Sequence, residues 1–156
     1  MPSFRRSENH DMKNRMLIRI GFMSFLIQAS ICEAAAKIVV IGNLTNKNTS
    51  IEASEVSKIF LGKVRSMPDG SPVKPVDQLS GKKSRVEFLD KVLHKSEPAL
   101  KSYWASIIFT GNGSPPTALE DDKAVKKFVS ENTDAIGYID SSFLDSSVKV
   151  IYSPPD

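Results

Sequence analysis

Apolar residues fall along the chain in two patterns, short continuous runs and stripes at helical spacing. Residues 37–43 (KIVVIGN) form a β-branched run closed by Gly42-Asn43, which reads as a buried strand. Residues 44–50 are polar and read as a loop. Val56, Ile59 and Phe60 recur at three- and four-residue spacing, which predicts a helix over 52–61 ended by Gly62. Met67-Pro68-Asp69-Gly70 has turn chemistry, and 72–76 is a short extended stretch limited by two prolines. Ser84 is expected to cap the next helix, with Glu87 three residues on as its capping-box partner. Val86, Leu89, Val92 and Leu93 make that helix's apolar stripe, widened by Phe88. A further helix over 98–109 opens on Pro98 and is followed by Gly111, and 111–116 (GNGSPP) is a rigid loop. Residues 121–130 are an amphipathic helix, and 135–139 and 148–152 are strands. The order strand, helix, strand, helices, strand, strand predicts an α/β domain with a largely parallel sheet covered on both faces.

The start of the chain has a different character. Residues 20–31 are an apolar run of 12, preceded by basic residues and followed by Ala34-Ala35-Ala36. A spanning helix needs about 20 apolar residues. The pattern is that of a secretory signal over 1–36, cleaved after Ala36, with a retained anchor as the alternative. Cys32 follows Ile31 where a lipidated cysteine usually follows a small residue, so lipidation is not expected. The remainder, 37–156, has 120 residues, enough for one domain with one core.

Export changes how the charge is read. The formal net charge is +3, but the leader holds five basic and three acidic residues, leaving 16 basic against 15 acidic in the domain. A near-neutral domain argues against nucleic acid as a partner. The leader also takes the single cysteine, so neither a disulfide framework nor thiol chemistry is available. His94 becomes the one histidine of the domain, which disfavours a histidine-built metal site; no cofactor is expected. The chain has no nucleophile elbow, P-loop, zinc motif or dinucleotide fingerprint, so an enzyme is not expected.

The residues that carry chemistry form an ordered series: Ile59-Phe60-Leu61-Gly62-Lys63, Asp69-Gly70, Pro75-Val76-Asp77, Ser84-Arg85 with Phe88, Tyr103-Trp104, Phe109-Thr110-Gly111, Pro115-Pro116, and Ala135-Ile136-Gly137-Tyr138. In this order they resemble the second lobe of periplasmic phosphate-binding proteins, across residues 37–152. The chain is most similar to the short, single-lobe proteins labelled as phosphate transporter substrate-binding proteins. The resemblance implies one lobe of a type II periplasmic-binding fold. It also implies a ligand, phosphate or a related oxyanion, and a membrane transporter or sensor, or a second copy, as partner. In the full-length family two lobes close over the anion, which hydroxyls, backbone N–H groups and an arginine hold at helix N-termini. One lobe of the family supplies a Ser-Gly-Thr run at such a helix start. Here Ser84 stands where the Thr would be, and Lys82-Lys83 stand in place of the Ser-Gly.

The candidate phosphate ligands are therefore Ser84, Arg85, Lys83 and Lys82, with hydroxyls from the 43–50 loop, Thr45 and Ser50 above all. That loop follows the first strand at its C-terminal end, where open α/β sheets bind ligands. The plain alternative is a serine cap beside a solvated basic turn, together with a polar surface loop. Tyr103 and Trp104 are expected in the core, His94 at a helix C-terminus and Asp121-Asp122 at a helix start. The competing function is a periplasmic interaction module that kept the lobe fold and lost its ligand.

Overall fold

A computed structural model describes residues 37–155, so the expected export leader lies outside the described residues. Five strands form one sheet in the order β3-β2-β4-β1-β5, built from β1 (Ile38–Asn43), β2 (Lys74–Gln78), β3 (Thr117–Leu119), β4 (Ala135–Asp140) and β5 (Val148–Tyr152). Four helices cover it: α1 (Ala53–Phe60), α2 (Lys83–Phe88), α3 (Glu97–Phe109) and α4 (Asp122–Glu131). The chain continues from α2 without a break into a π-helical segment, Leu89–Leu93, which ends where His94 turns left-handed at φ 49°.

Strand alternation sorts the side chains into two layers. Ile38 and Val40 of β1, with Ile136 and Tyr138 of β4, face α1, α2 and α3 and pack on Phe60, Phe88 and Leu100. Val39 and Ile41, with Ala135 and Ile139, face α4 and pack on Val125 and Val129. β1 is buried at all six positions because it lies inside the sheet with a helical layer on either face.

The direction of β1 differs from a uniformly parallel sheet. β2 pairs in parallel with β3 and with β4, whereas β1 is antiparallel to both β4 and β5. Four strands thus run one way, and β1 runs against them. Burial on both faces gives an apolar run whatever the direction, so composition cannot reveal this reversal. β3, a short exposed edge strand beside β2, carries no apolar run to announce it.

The helix boundaries follow from their caps. Ser96 accepts from the Ala99 N–H, and Pro98 sits in the first turn of α3. Asp121 accepts from the Ala124 N–H at the start of α4. Gly62 and Gly111 follow α1 and α3 at φ 68° and 71°, a conformation that favours glycine.

Gly137 lets α4 settle on the sheet. A Cβ there would stand 2.5 Å from Val125 Cγ1 and 3.0 Å from Val76 Cγ2. Gly137→Ala is expected to lower stability by about 1–3 kcal/mol through overpacking. Thermal unfolding measures it, and adding Val125→Ala restores part of the loss if the clash is the cause.

Candidate functional site

β2 ends at Gln78 and β4 at Asp140, side by side at one end of the sheet, and α2 and α4 begin there. A turn over 79–82, with Gly81 at φ 84° and a Lys82 N–H to Leu79 C=O bond of 3.4 Å, carries the chain from β2 into α2. Two helix starts therefore meet the C-terminal ends of two parallel strands. This is the edge where open α/β sheets bind ligands.

Ser84 lies at this edge, but not as the helix cap. The cap residue is Lys82, which makes no side-chain capping bond, and Ser84 is the second residue of α2. Its buried hydroxyl donates to Asp122 Oδ1 of α4 at 2.7 Å. Standing inside the first turn, Ser84 is past the cap position, and its hydroxyl makes a charge-assisted bond across to α4. The same Oδ1 accepts from the Asp140 N–H at 2.8 Å and from Gln78 Nε2 at 3.2 Å. Asp122 thus ties α2, α4, β2 and β4 together at the first turn of α4, where a negative charge is stabilised. Gln78 Nε2 also donates to Tyr138 C=O at 3.1 Å, which leaves the buried Gln78 Oε1 without a donor among the described residues. Glu87, expected to complete a capping box, pairs with Lys91 at 3.2 Å instead.

Arg85 is enclosed by acceptors of its own domain. Its Nε and Nη2 fork onto Glu97 at 2.6 and 3.3 Å, and its Nη1 donates to Gln78 C=O at 2.9 Å and pairs with Asp77. A guanidinium has five N–H donors, and these contacts engage four of them. Burial opposes the charge, but Glu97 and Asp77 outweigh it and hold the Arg85 pKa above its ordinary value. Behind the pair, the Tyr138 hydroxyl donates to Asp77 Oδ1, which also accepts from the Gln78 N–H at 2.8 Å. Burial, then the Asp77 charge, pushes the Tyr138 phenol well above its ordinary pKa.

Lys82 is half-buried and Lys83 exposed, and both sit at the start of α2 with Ser84 and Arg85. Thr45 does not join them, and Ser50 lies at the other edge of the sheet, next to Ile51, whose N–H donates to Ile151 C=O of β5 at 3.0 Å. Because β1 is antiparallel, its C-terminal end lies at the opposite end of the sheet, beside the start of β4. There Thr45 Oγ1 donates to Asn43 Oδ1 at 2.8 Å, while Asn43 Nδ2 donates to Val129 C=O at 3.0 Å near the end of α4. A strand length, about 15 Å for five residues, separates Thr45 from the end of the sheet where Ser84 lies. The rule that placed these hydroxyls at a ligand edge assumes a parallel strand.

The sequence did not single out Asp77, Gln78, Glu97, Asp122 or Tyr138 as one cluster. The available signal was a pair of polar residues, Asp77-Gln78, directly after the apolar Val76 in the stretch read as extended. Tyr103 and Trp104 pack as expected, with Trp104 buried and the Tyr103 hydroxyl donating to Leu61 C=O at 2.7 Å. Among the described residues no cluster of His, Cys, Asp and Glu has the arrangement of a metal site, and no helix is long and apolar enough to cross a membrane.

Solved structures similar to this chain share its architecture. A phosphate ABC transporter substrate-binding protein from Clostridium perfringens, solved with bound phosphate, matches 74% of this chain and 44% of its own, with TM-score 0.59 and 24% identity. An ABC-type phosphate transport receptor from Vibrio cholerae matches 74% of this chain and 45% of its own, at TM-score 0.60 and 17% identity. PstS from Borrelia burgdorferi matches 74% and 46%, at TM-score 0.57 and 14% identity. The fold is that of a lobe of a phosphate-binding protein. The chain spans less than half the length of each of these proteins. No family model matches the sequence, and no curated protein matches it.

Proposed function

We propose that the chain is an exported, periplasmic solute-binding lobe that takes phosphate or a related oxyanion at the start of α2 and works with a membrane transporter or sensor. The observation that carries this reading is a helix start with no side-chain cap, flanked by Lys82 and Lys83, at the C-terminal edge of β2 and β4. The unpaired N–H groups of a first turn and the helix dipole favour an anion there. In this site the anion lies against the backbone of 82–85 and the two ammonium groups. Ser84 and Arg85 hold the helix start in place through Asp122, Asp77 and Glu97. Two charges 4 Å apart in water gain only about 1 kcal/mol, so tight binding requires closure by a second surface, a partner or another copy of the chain.

Calorimetric titration of phosphate into the full chain tests the reading, with sulfate to read selectivity. Saturable heat is expected, weakened about tenfold or more in Lys82→Gln/Lys83→Gln, the scale of one charge-assisted hydrogen bond. Absence of saturable heat at millimolar phosphate rejects it. That result would favour a second reading, an interaction module without a ligand. Its specific support is that Ser84 and Arg85 already bond to carboxylates, beside the exposed apolar Leu79 and Val86.

A further inference from the structure

At the opposite end of β2 from Ser84, a groove of about 470 Å³ opens between the loop after α1, the inner side of α3 and the 112–116 loop. Its volume is within the range of about 300–1,000 Å³ typical of small-molecule sites. One wall is aromatic and fixed. Tyr103 and Trp104 meet edge to face at 5.2 Å and 71°. The Tyr103 hydroxyl is anchored on Leu61 C=O, and the indole lies so close to Gly62 that a Cβ there would stand 3.0 Å from it. Ile107 continues this wall, and Pro115 and Pro116 stiffen the one facing it.

The charge on the lining has one sign. Lys63, Arg65 and Lys74 line the groove, and no Asp or Glu does. Lys74 is turned away, its ammonium 5.1 Å from the Phe128 ring centroid. Arg65 and Lys63 are exposed, and no carboxylate pairs with either among the described residues. The Arg65 guanidinium reaches over the groove to within 3.9 Å of where a Gly113 Cβ would stand. A cation held over an apolar, aromatic-walled groove selects a ligand with an apolar body and a negative end.

We infer that this groove is a second binding site, for a small organic anion with an aromatic or branched apolar body, such as an aryl carboxylate. Tyr103, Trp104 and Ile107 receive the body, and Arg65, supported by Lys63, receives the carboxylate. The site does not rest on the oxyanion reading, since it lies at the other end of the strands.

Trp104 is the single tryptophan of the chain, so its emission reports the groove directly. Phenylacetate is added to the full chain, beside the uncharged phenylacetamide of the same shape. Saturable quenching by phenylacetate is expected at millimolar concentrations or below, about tenfold weaker for phenylacetamide and for phenylacetate with Arg65→Gln. Arg65 is exposed, so that variant is expected to fold. Lys82→Gln/Lys83→Gln is expected to leave the quenching unchanged, and phosphate not to compete, which separates the two sites. Equal binding of acid and amide, insensitivity to Arg65→Gln, or no saturable quenching each overturns the inference.

Discussion

Arg85→Ala is expected to lower folding stability by about 3–5 kcal/mol, the scale of removing one partner from a buried ion pair. The side chains of Arg85 and Asp77 are only 12% and 13% exposed, and that of Glu97 is 33% exposed. Without the guanidinium, Asp77 keeps a buried charge whose remaining donors are the Tyr138 hydroxyl and the Gln78 N–H. The Gln78 carbonyl loses a donor as well. Urea unfolding gives the difference from the shift in midpoint at constant slope. Arg85→Lys is expected to recover part of the loss, since an ammonium keeps the charge but cannot fork onto Glu97 while reaching Asp77 and Gln78. In an Asp77→Asn background the cost of Arg85→Ala is expected to shrink, because the carboxylate left behind is gone. A loss below about 1 kcal/mol would place the network among exposed ion pairs and remove its claim to hold α2.

This result also bears on how binding variants are read. An arginine beside a helix start suits an oxyanion, which makes Arg85 a phosphate-ligand candidate on sequence alone. The structure engages that arginine with two carboxylates and a carbonyl. A weakened phosphate titration in Arg85→Ala would then report a displaced helix as readily as a lost ligand. Lys82 and Lys83 are the more discriminating positions, because neither forms part of the Asp77–Arg85–Glu97 network.

What the sequence showed and what it hid divide along a physical line. Local signals sufficed to place the helices: the stripe of Val56, Ile59 and Phe60, Pro98 in the first turn of α3, Asp121-Asp122 at the start of α4, and Gly62 and Gly111 just past the ends of α1 and α3. Strand direction is not local. The apolar run of β1 has the same composition in either direction, and its reversal alone moves Thr45 to the wrong end of the sheet. The role of Ser84 was hidden for a related reason. A serine before an apolar stripe suits a cap, and only the fold brings Asp122, 38 residues later, within reach of its hydroxyl. The polar cluster was hidden by distance as well, since Asp77 and Tyr138 are 61 residues apart and meet only when β2 and β4 pair. The α/β class was legible because each element carries its own local pattern, and the similar solved structures share the fold those elements build.

Phe88→Ala is expected to lower stability by about 3–5 kcal/mol, the range for removing a buried phenyl ring from a core. Phe88 is 1% exposed and lies flat on Tyr138, with ring centroids 3.9 Å apart and an interplanar angle of 6°. Phe60 closes on it from α1 at 4.7 Å and 60°. The ring therefore joins α1, α2 and β4 at the residue where α2 passes into its π-helical segment. Its loss opens a cavity beneath the helix whose start carries Lys82 to Arg85, and it frees Tyr138 to shift away from Asp77. Phe88→Leu keeps most of the apolar volume and is expected to cost clearly less, while losing the stacked geometry. Urea unfolding of both variants separates the two contributions. If alanine and leucine are equally destabilising, the stacked ring contact matters more than filling the space. A loss under about 2 kcal/mol for alanine would mean that the helix collapses into the gap. In that case the start of α2 is not held rigidly from below, and preorganisation of the N–H groups that the oxyanion reading requires would be lost as a supporting argument.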